Sequence, residues 1–332
     1  MKVYRVFRTL RNGVVALAMM GAVSSAAVAS YSQVYFFGDS LTDTGNLYAS
    51  SGEVFPVSPP YYGGGFSNGP LWSQAFANAL GFSSTPALSG GNNFAWAGAT
   101  VVDYGRPQPE IPQQLGMYLG ATGGAADPGA LYVIMGGGND INDAGANPAT
   151  AATSIMAAAN AVNDMVNSLY FAGARNILVG NLPDIGLTPR AIAGGPAVAA
   201  GATALSQLFN VTLSSLLVIT EAANTGLDVD LLDMYTLLTD AVANPSMYGF
   251  ANVTSACKDG ELGLPGVVCS DPDAYLFWDS FHPSARAHDL IAQTALRAVP
   301  EPAAILLLAA ALLSLLIVSA GTRARKLPGL PA

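Results

Sequence analysis

The chain has 332 residues, 51% of them hydrophobic and only 11% charged, with thirteen Lys and Arg against twenty-two Asp and Glu. A formal charge of −9 provides no basic face for a phosphate backbone, which excludes nucleic acid as a partner. Two cysteines and two histidines, Cys257, Cys269, His282 and His288, show no metal-ligand spacing, so no metal is expected.

In chain order, residues 1–29 carry Lys2, Arg5, Arg8 and Arg11, then an apolar run over 14–23, and close on Ala27-Val28-Ala29. That pattern predicts a secretory signal peptide; the apolar stretch is short for a membrane anchor. The next run, 33–37, predicts a buried strand that stops at Gly38-Asp39-Ser40, a turn able to lift a hydroxyl to a sheet edge. Helical periodicity follows over 71–80, a weaker strand over 93–96, and a strand over 131–135 that ends at Gly136-Gly137-Gly138. A helix is expected over 149–172, a strand over 176–180, a helix over roughly 196–224, a strand over 227–233 and a last helix over 284–298. Segments 50–70 and 120–128, dense in Gly, Pro and Ser, read as surface loops.

Strands alternating with helices argue for a parallel sheet covered on both faces, in one α/β domain over 30–299. That span holds six basic residues against twenty-one acidic ones, a formal charge of −15. Three expected strands end in polar clusters, at Gly38-Asp39-Ser40, Gly138-Asn139-Asp140 and Asn181-Leu182-Pro183-Asp184. Ligands of such sheets bind beyond the strands' carboxyl ends. In an exported chain Cys257 and Cys269 are expected to pair, a clip contributing about 3 kcal/mol in the chain-entropy account.

The C-terminus has three parts: Val299-Pro300-Glu301-Pro302, an uncharged run over 303–320 long enough for a transmembrane helix, and Arg323, Arg325 and Lys326. Together, 300–332 resemble the PEP-CTERM sorting signal of Gram-negative bacteria. The resemblance implies transient membrane anchoring, recognition by an exosortase, cleavage near Pro300 to Pro302, and delivery to the cell surface or its matrix.

Acyl transfer by serine needs a hydroxyl, a base, a group that orients the base, and donors for the oxyanion. Trp278-Asp279-Ser280-Phe281-His282-Pro283 supplies a carboxylate and an imidazole three residues apart. With Gly38-Asp39-Ser40-Leu41-Thr42-Asp43-Thr44-Gly45-Asn46, the chain resembles the GDSL-type esterases/lipases of the SGNH hydrolase superfamily. Further segments are similar to that family's blocks in the same order: Phe66 to Trp72, Asn93-Phe94-Ala95-Trp96-Ala97-Gly98-Ala99, Gly137-Gly138-Asn139-Asp140, Asn181-Leu182-Pro183, and Asp279 to His282. The resemblance spans almost all of 30–299.

It implies a three-layer α/β/α, flavodoxin-like fold. It implies Ser40 as nucleophile, His282 as base and Asp279 as its orienting acid, with no organic cofactor. The oxyanion would meet the N–H of Ser40, the N–H of Gly98 and the side chain of Asn139. The chain reads Ala97-Gly98 where many relatives carry two glycines, which leaves that donor at Gly98 or one position away.

Duller roles stand beside these. Asp39 and Asp43 suit turn hydrogen bonds, Asn139 suits a cap of the following helix, Asp140 suits a structural role, and His288 suits a helix surface or packing. No phosphate-loop motif follows Gly136, and Gly-x-Ser-x-Gly is absent at Ser40. The implied substrate is a carboxylic ester, either a lipid acyl ester or an O-acetylated extracellular glycan. A catalytically silent surface protein is the non-enzymatic alternative. Loops 50–70 and 101–129, with Phe55, Tyr61, Tyr62, Phe66, Tyr104 and Tyr118, are expected to wall the substrate pocket.

Overall fold

The computed structural model describes residues 31–299; the expected signal peptide and the sorting segment with its apolar run lie outside them. Four parallel strands form the main sheet in the order β1 (Val34–Gly38), β2 (Leu131–Met135), β3 (Asn176–Gly180) and β4 (Asp228–Leu232). The register runs Val34 to Leu131 to Asn176 to Asp228 across the sheet. β2 is buried at all five positions, as its unbroken Leu-Tyr-Val-Ile-Met run requires of a strand covered on both sides.

The weak strand expected over 93–96 is an edge segment. Phe36 N–H donates to Asn92 (3.1 Å), Phe94 N–H to Phe36 (2.8 Å) and Trp96 N–H to Gly38 (3.0 Å), with one parallel bridge at Phe36 and Asn93. Counting it gives the order 2-1-3-4-5, that of a flavodoxin-like doubly wound sheet.

The helices are α1 (Asn46–Ser50), α2 (Trp72–Ala79), α3 (Ile111–Ala121), α4 (Gly138–Gly145), α5 (Ala151–Ala172), α6 (Pro189–Ala193), α7 (Pro196–Ala223), α8 (Met234–Ala243), α9 (Pro245–Tyr248) and α10 (Ala285–Ala298). Side chains alternate along each strand, so the two faces build separate cores. On one face Phe37, Tyr132, Ile134, Ile177 and Val179 meet Leu115, Val162, Val166, Phe209 and Leu213 of α3, α5 and α7. On the other, Val34, Phe36, Val133 and Leu178 meet Trp72, Phe76, Ile291 and Ala295 of α2 and α10. The three-layer α/β/α architecture follows from this alternation.

α3 occupies part of a segment expected to be loop. Pro112 sits in its first turn, where no donor is lost, and Gln113 reaches back to the Glu110 N–H (3.0 Å). Ile111, Leu115 and Tyr118 then face the core. Gln114 ties α3 to the end of β1: its Oε1 accepts the Gly38 N–H (2.8 Å) and its Nε2 donates to the Gly38 carbonyl (2.9 Å). A small parallel pair, β5 (Asn252–Ala256) and β6 (Tyr275–Phe277), leads into the loop 278–283 before α10. Ser284 caps α10, its Oγ accepting from Ala287, and Trp278 N–H donates to the His282 carbonyl (2.8 Å). The loop carrying Asp279 and His282 is therefore fixed at both ends.

Candidate active site

Ser40 follows β1 in a turn held by its neighbours. The N–H groups of Thr42 and Asp43 both donate to the Asp39 carbonyl. The Asp43 carboxylate accepts from Gly45 (2.8 Å) and Asn46 (2.6 Å) on one oxygen, and from Leu47 (3.1 Å) and Ala97 (2.8 Å) on the other. Asp43 thus binds the Ser40 turn to the segment leading into Gly98. Gly38 is required where β1 ends, since a Cβ there would lie 2.5 Å from the Met135 carbonyl oxygen.

Across 242 residues of chain, His282 Nε2 lies 2.8 Å from Ser40 Oγ. His282 Nδ1 lies 2.8 Å from Asp279 Oδ2 and 3.0 Å from Oδ1. Asp279 Oδ1 also accepts the N–H groups of Phe281 (2.8 Å) and His282 (2.7 Å), and Oδ2 accepts the Tyr61 hydroxyl (2.8 Å). Burial opposes charge on Asp279, yet the imidazole and these donors prevail and hold its carboxyl below the usual range. The carboxylate stays ionised and orients one face of the imidazole, leaving the other for the serine.

Gly98 has φ +82°, a conformation that favours glycine. Its carbonyl accepts from Arg106 Nη1 (2.6 Å) and Gln108 Nε2 (3.0 Å). Among the described residues no acceptor is bonded to the N–H of Ser40 or of Gly98. Asn139, in the first turn of α4, donates one Nδ2 hydrogen to the Ala99 carbonyl (2.8 Å), which orients its amide and leaves the second hydrogen free. Asp140 next to it accepts from Val101 (2.8 Å) and Val102 (2.9 Å), pinning the loop after Gly98 to α4. The structure brings Ser40, Gly98, Asn139, Asp279 and His282 to the carboxyl-end edge of the sheet.

Burial pushes the carboxyls of Asp39 and Asp140 up to about 6. His288 stands apart from the serine: buried, with Nδ1 accepting the Trp72 N–H (3.2 Å), it is pushed down to about 3 by burial and then by His282. It is neutral and packs α10 against α2. Cys257 and Cys269 are joined in a disulfide, and among the described residues no His, Cys, Asp or Glu cluster suits a metal.

The pocket walls differ from expectation. The cleft that opens beside Ser40 is lined by Leu182 and Ile185 after β3, by Leu237 and Leu238 of α8, and by Phe281 and Leu290 around α10. None of the expected aromatics lines it. Phe66 packs on the His282 ring and Tyr61 on Trp278, beneath the loop, while Tyr118 bonds Tyr132 inside the core. Tyr61 as a partner of Asp279 has no local signature, since 218 residues separate the two.

The family model described as GDSL-like Lipase/Acylhydrolase matches residues 34–295, a span that contains every residue of this constellation. The chain belongs to that family. A Pseudomonas putida protein described as uncharacterized is 34% identical to this GDSL-like chain over 332 residues, covering 88% of the chain and 52% of the relative. The phosphatidylcholine-sterol acyltransferase of Aeromonas hydrophila is 31% identical over 254 residues, covering 75% and 71%. The chain thus spans about half the length of the Pseudomonas relative. A solved member of the lipolytic G-D-S-L family from Veillonella parvula aligns with TM-score 0.44 and 17% identity, over 80% of this chain and 96% of that one.

Proposed function

We propose that the chain is a serine hydrolase that cleaves carboxylic esters with an apolar acyl group, through an acyl-enzyme on Ser40. The observation that carries this is the hydrogen-bonded series Ser40, His282, Asp279 opening onto an apolar cleft. His282 Nε2 takes the Ser40 proton as Oγ attacks the ester carbonyl. The oxyanion accepts from the N–H groups of Ser40 and Gly98 and from the free Nδ2 hydrogen of Asn139. As the intermediate collapses, His282 returns the proton to the leaving alcohol. A water then repeats the sequence on the acyl-enzyme, releasing the carboxylic acid and restoring Ser40.

An acetyl group has no use for a cleft walled by leucines and a phenylalanine, so the cleft favours longer acyl groups over glycan acetates. The Aeromonas relative's name, which couples a phospholipid to a sterol by acyl transfer, supports the same substrate class. Ser40→Ala tests the reading. The variant should retain its unfolding transition, take up no fluorophosphonate probe, and lose at least about 10⁴-fold in kcat on an aryl ester. Retained labelling or turnover would refute it.

Export by residues 1–29, sorting by 300–332 through an exosortase, and surface delivery belong to the same proposal. The disulfide supports them, because such bonds persist in oxidising compartments. Mass spectrometry of the mature termini from the native host checks this: intact ends at Met1 and Ala332 would sink it.

A further inference from the structure

The loop between Cys257 and Cys269 reaches the proposed catalytic carboxylate through one tyrosine. Tyr61 is 1% exposed, and its hydroxyl donates to Asp279 Oδ2 at 2.8 Å. The same hydroxyl accepts the Gly263 N–H at 3.0 Å, and Gly263 lies inside the disulfide loop. Gly263 has φ +76°, and a Cβ there would lie 2.2 Å from the Phe55 ring, so the approach of its N–H depends on glycine.

The loop is held in place at its start. The N–H groups of Cys257 and Lys258 donate to the carbonyls of Phe277 (3.1 Å) and Trp278 (2.6 Å), directly before Asp279. Lys258 is fully buried; its Nζ donates to the carbonyls of Asp259 (2.7 Å) and Glu261 (3.0 Å) within the loop and stands 5.4 Å from the centre of the Tyr61 ring. Cys257 itself packs in one buried cluster with Tyr61, Phe66 and Trp278.

A buried carboxylate needs its lone pairs filled, or it turns to find other donors. Asp279 Oδ1 is satisfied by its own loop, but among the described residues Oδ2 has only His282 Nδ1 and the Tyr61 hydroxyl. By accepting from Gly263, that hydroxyl is polarised and aimed at Oδ2.

We propose that Tyr61 is a positioning residue for the Asp279–His282 pair, and that the Cys257–Cys269 disulfide sets its effectiveness by holding Gly263 against the Tyr61 hydroxyl. This rests on the esterase reading above for its kinetic consequence but not for its structural one. Reduction by an added dithiol transfers two electrons and two protons to Cys257 and Cys269, and the dithiol closes to its own disulfide. The freed loop lets the Gly263 N–H leave Tyr61, and the imidazole loses its fixed orientation.

The experiment compares native protein with Tyr61→Phe, each oxidised and reduced by dithiothreitol, in two readouts. The first is kcat and KM on an aryl ester. The second is the downfield proton resonance of the imidazole Nδ1–H, assigned to His282 because His288 Nδ1 is an acceptor. The expected result is a fall in kcat of about tenfold in Tyr61→Phe with KM within about twofold, equivalent to one hydrogen bond to a charged group. Reduction should lower kcat of the native protein by a similar factor, reversibly on reoxidation, and should leave oxidised and reduced Tyr61→Phe alike. The resonance should shift or broaden in step.

Unchanged kcat and resonance in Tyr61→Phe would overturn the positioning role. Equal slowing of both proteins on reduction would overturn the link to the disulfide. Tyr61→Phe keeps the ring that packs on Trp278, and far-UV circular dichroism at the assay temperature separates loop release from unfolding on reduction. A native protein that hydrolyses no ester would defeat the esterase reading alone, since the resonance still reports on Tyr61.

Discussion

The apolar cleft makes a quantitative demand on substrate preference. Its walls beside Ser40 come from Leu182, Ile185, Leu237, Leu238, Leu276 and Leu290, so each methylene that enters leaves water for hydrocarbon. Burying one methylene contributes about 0.8 kcal/mol, or about fourfold in kcat/KM if the contact persists in the transition state. From acetate to octanoate, six methylenes give an upper bound of about 5 kcal/mol, roughly three and a half orders of magnitude, until the cleft is full. Leu238→Trp places an indole in that space from α8 without touching Ser40, Asp279 or His282. In a series of p-nitrophenyl esters from two to twelve carbons, native protein should rise in kcat/KM and then level off. Leu238→Trp should keep acetate hydrolysis within about twofold and lose about tenfold or more on octanoate, the equivalent of two methylenes excluded. A native profile highest at acetate, or a variant with the native profile, would refute the assignment of the cleft to the acyl group.

Asn139→Ala should lower kcat by about 10²- to 10³-fold with little change in KM, as loss of one oxyanion donor does elsewhere, and burst kinetics would locate the defect in acylation. Stability should also depend on pH through buried carboxyls. Asp39 and Asp140 are near 6 when folded and near 4 when unfolded, so the native state binds more protons between those values and stability falls as pH rises through them. Asp279 acts in the opposite sense: its contribution is present above the unfolded value and is lost as pH falls below it. Melting temperature measured from pH 4 to 8 should therefore decline toward neutrality, and Asp140→Asn should flatten that slope whatever its effect on the melting temperature itself. An unchanged slope would contradict the burial argument.

The residues at the strand ends were legible because local chemistry marks them. Val34–Gly38, Leu131–Met135 and Asn176–Gly180 are apolar runs that stop at glycine, and the motif blocks follow in order along the chain. Asp279 and His282 are three residues apart, so their partnership needs no long-range information. α3 was not legible: its segment was expected to be loop, whereas Pro112 occupies the first turn and Gly116 and Gly120 fit the helix without a steric partner. β5 is too polar, and β6 at three residues too short, to show a period of two. The pocket walls were assigned to the wrong loops because aromatic content says nothing about which side of a loop faces the serine. Phe66 and Tyr61 turn inward to support His282 and Asp279, a choice set by contacts more than two hundred residues away.

The separation of Ser40 from His282 has a consequence in time. The proposed nucleophile follows the first strand of the described residues, whereas the imidazole that reaches it there arrives with the last loop before α10. A nascent, translocating or truncated chain ending before Asp279 carries a hydroxyl with no base, as inert as any other serine. Under the proposed mechanism, hydrolytic competence switches on once, at completion of the domain, and not before.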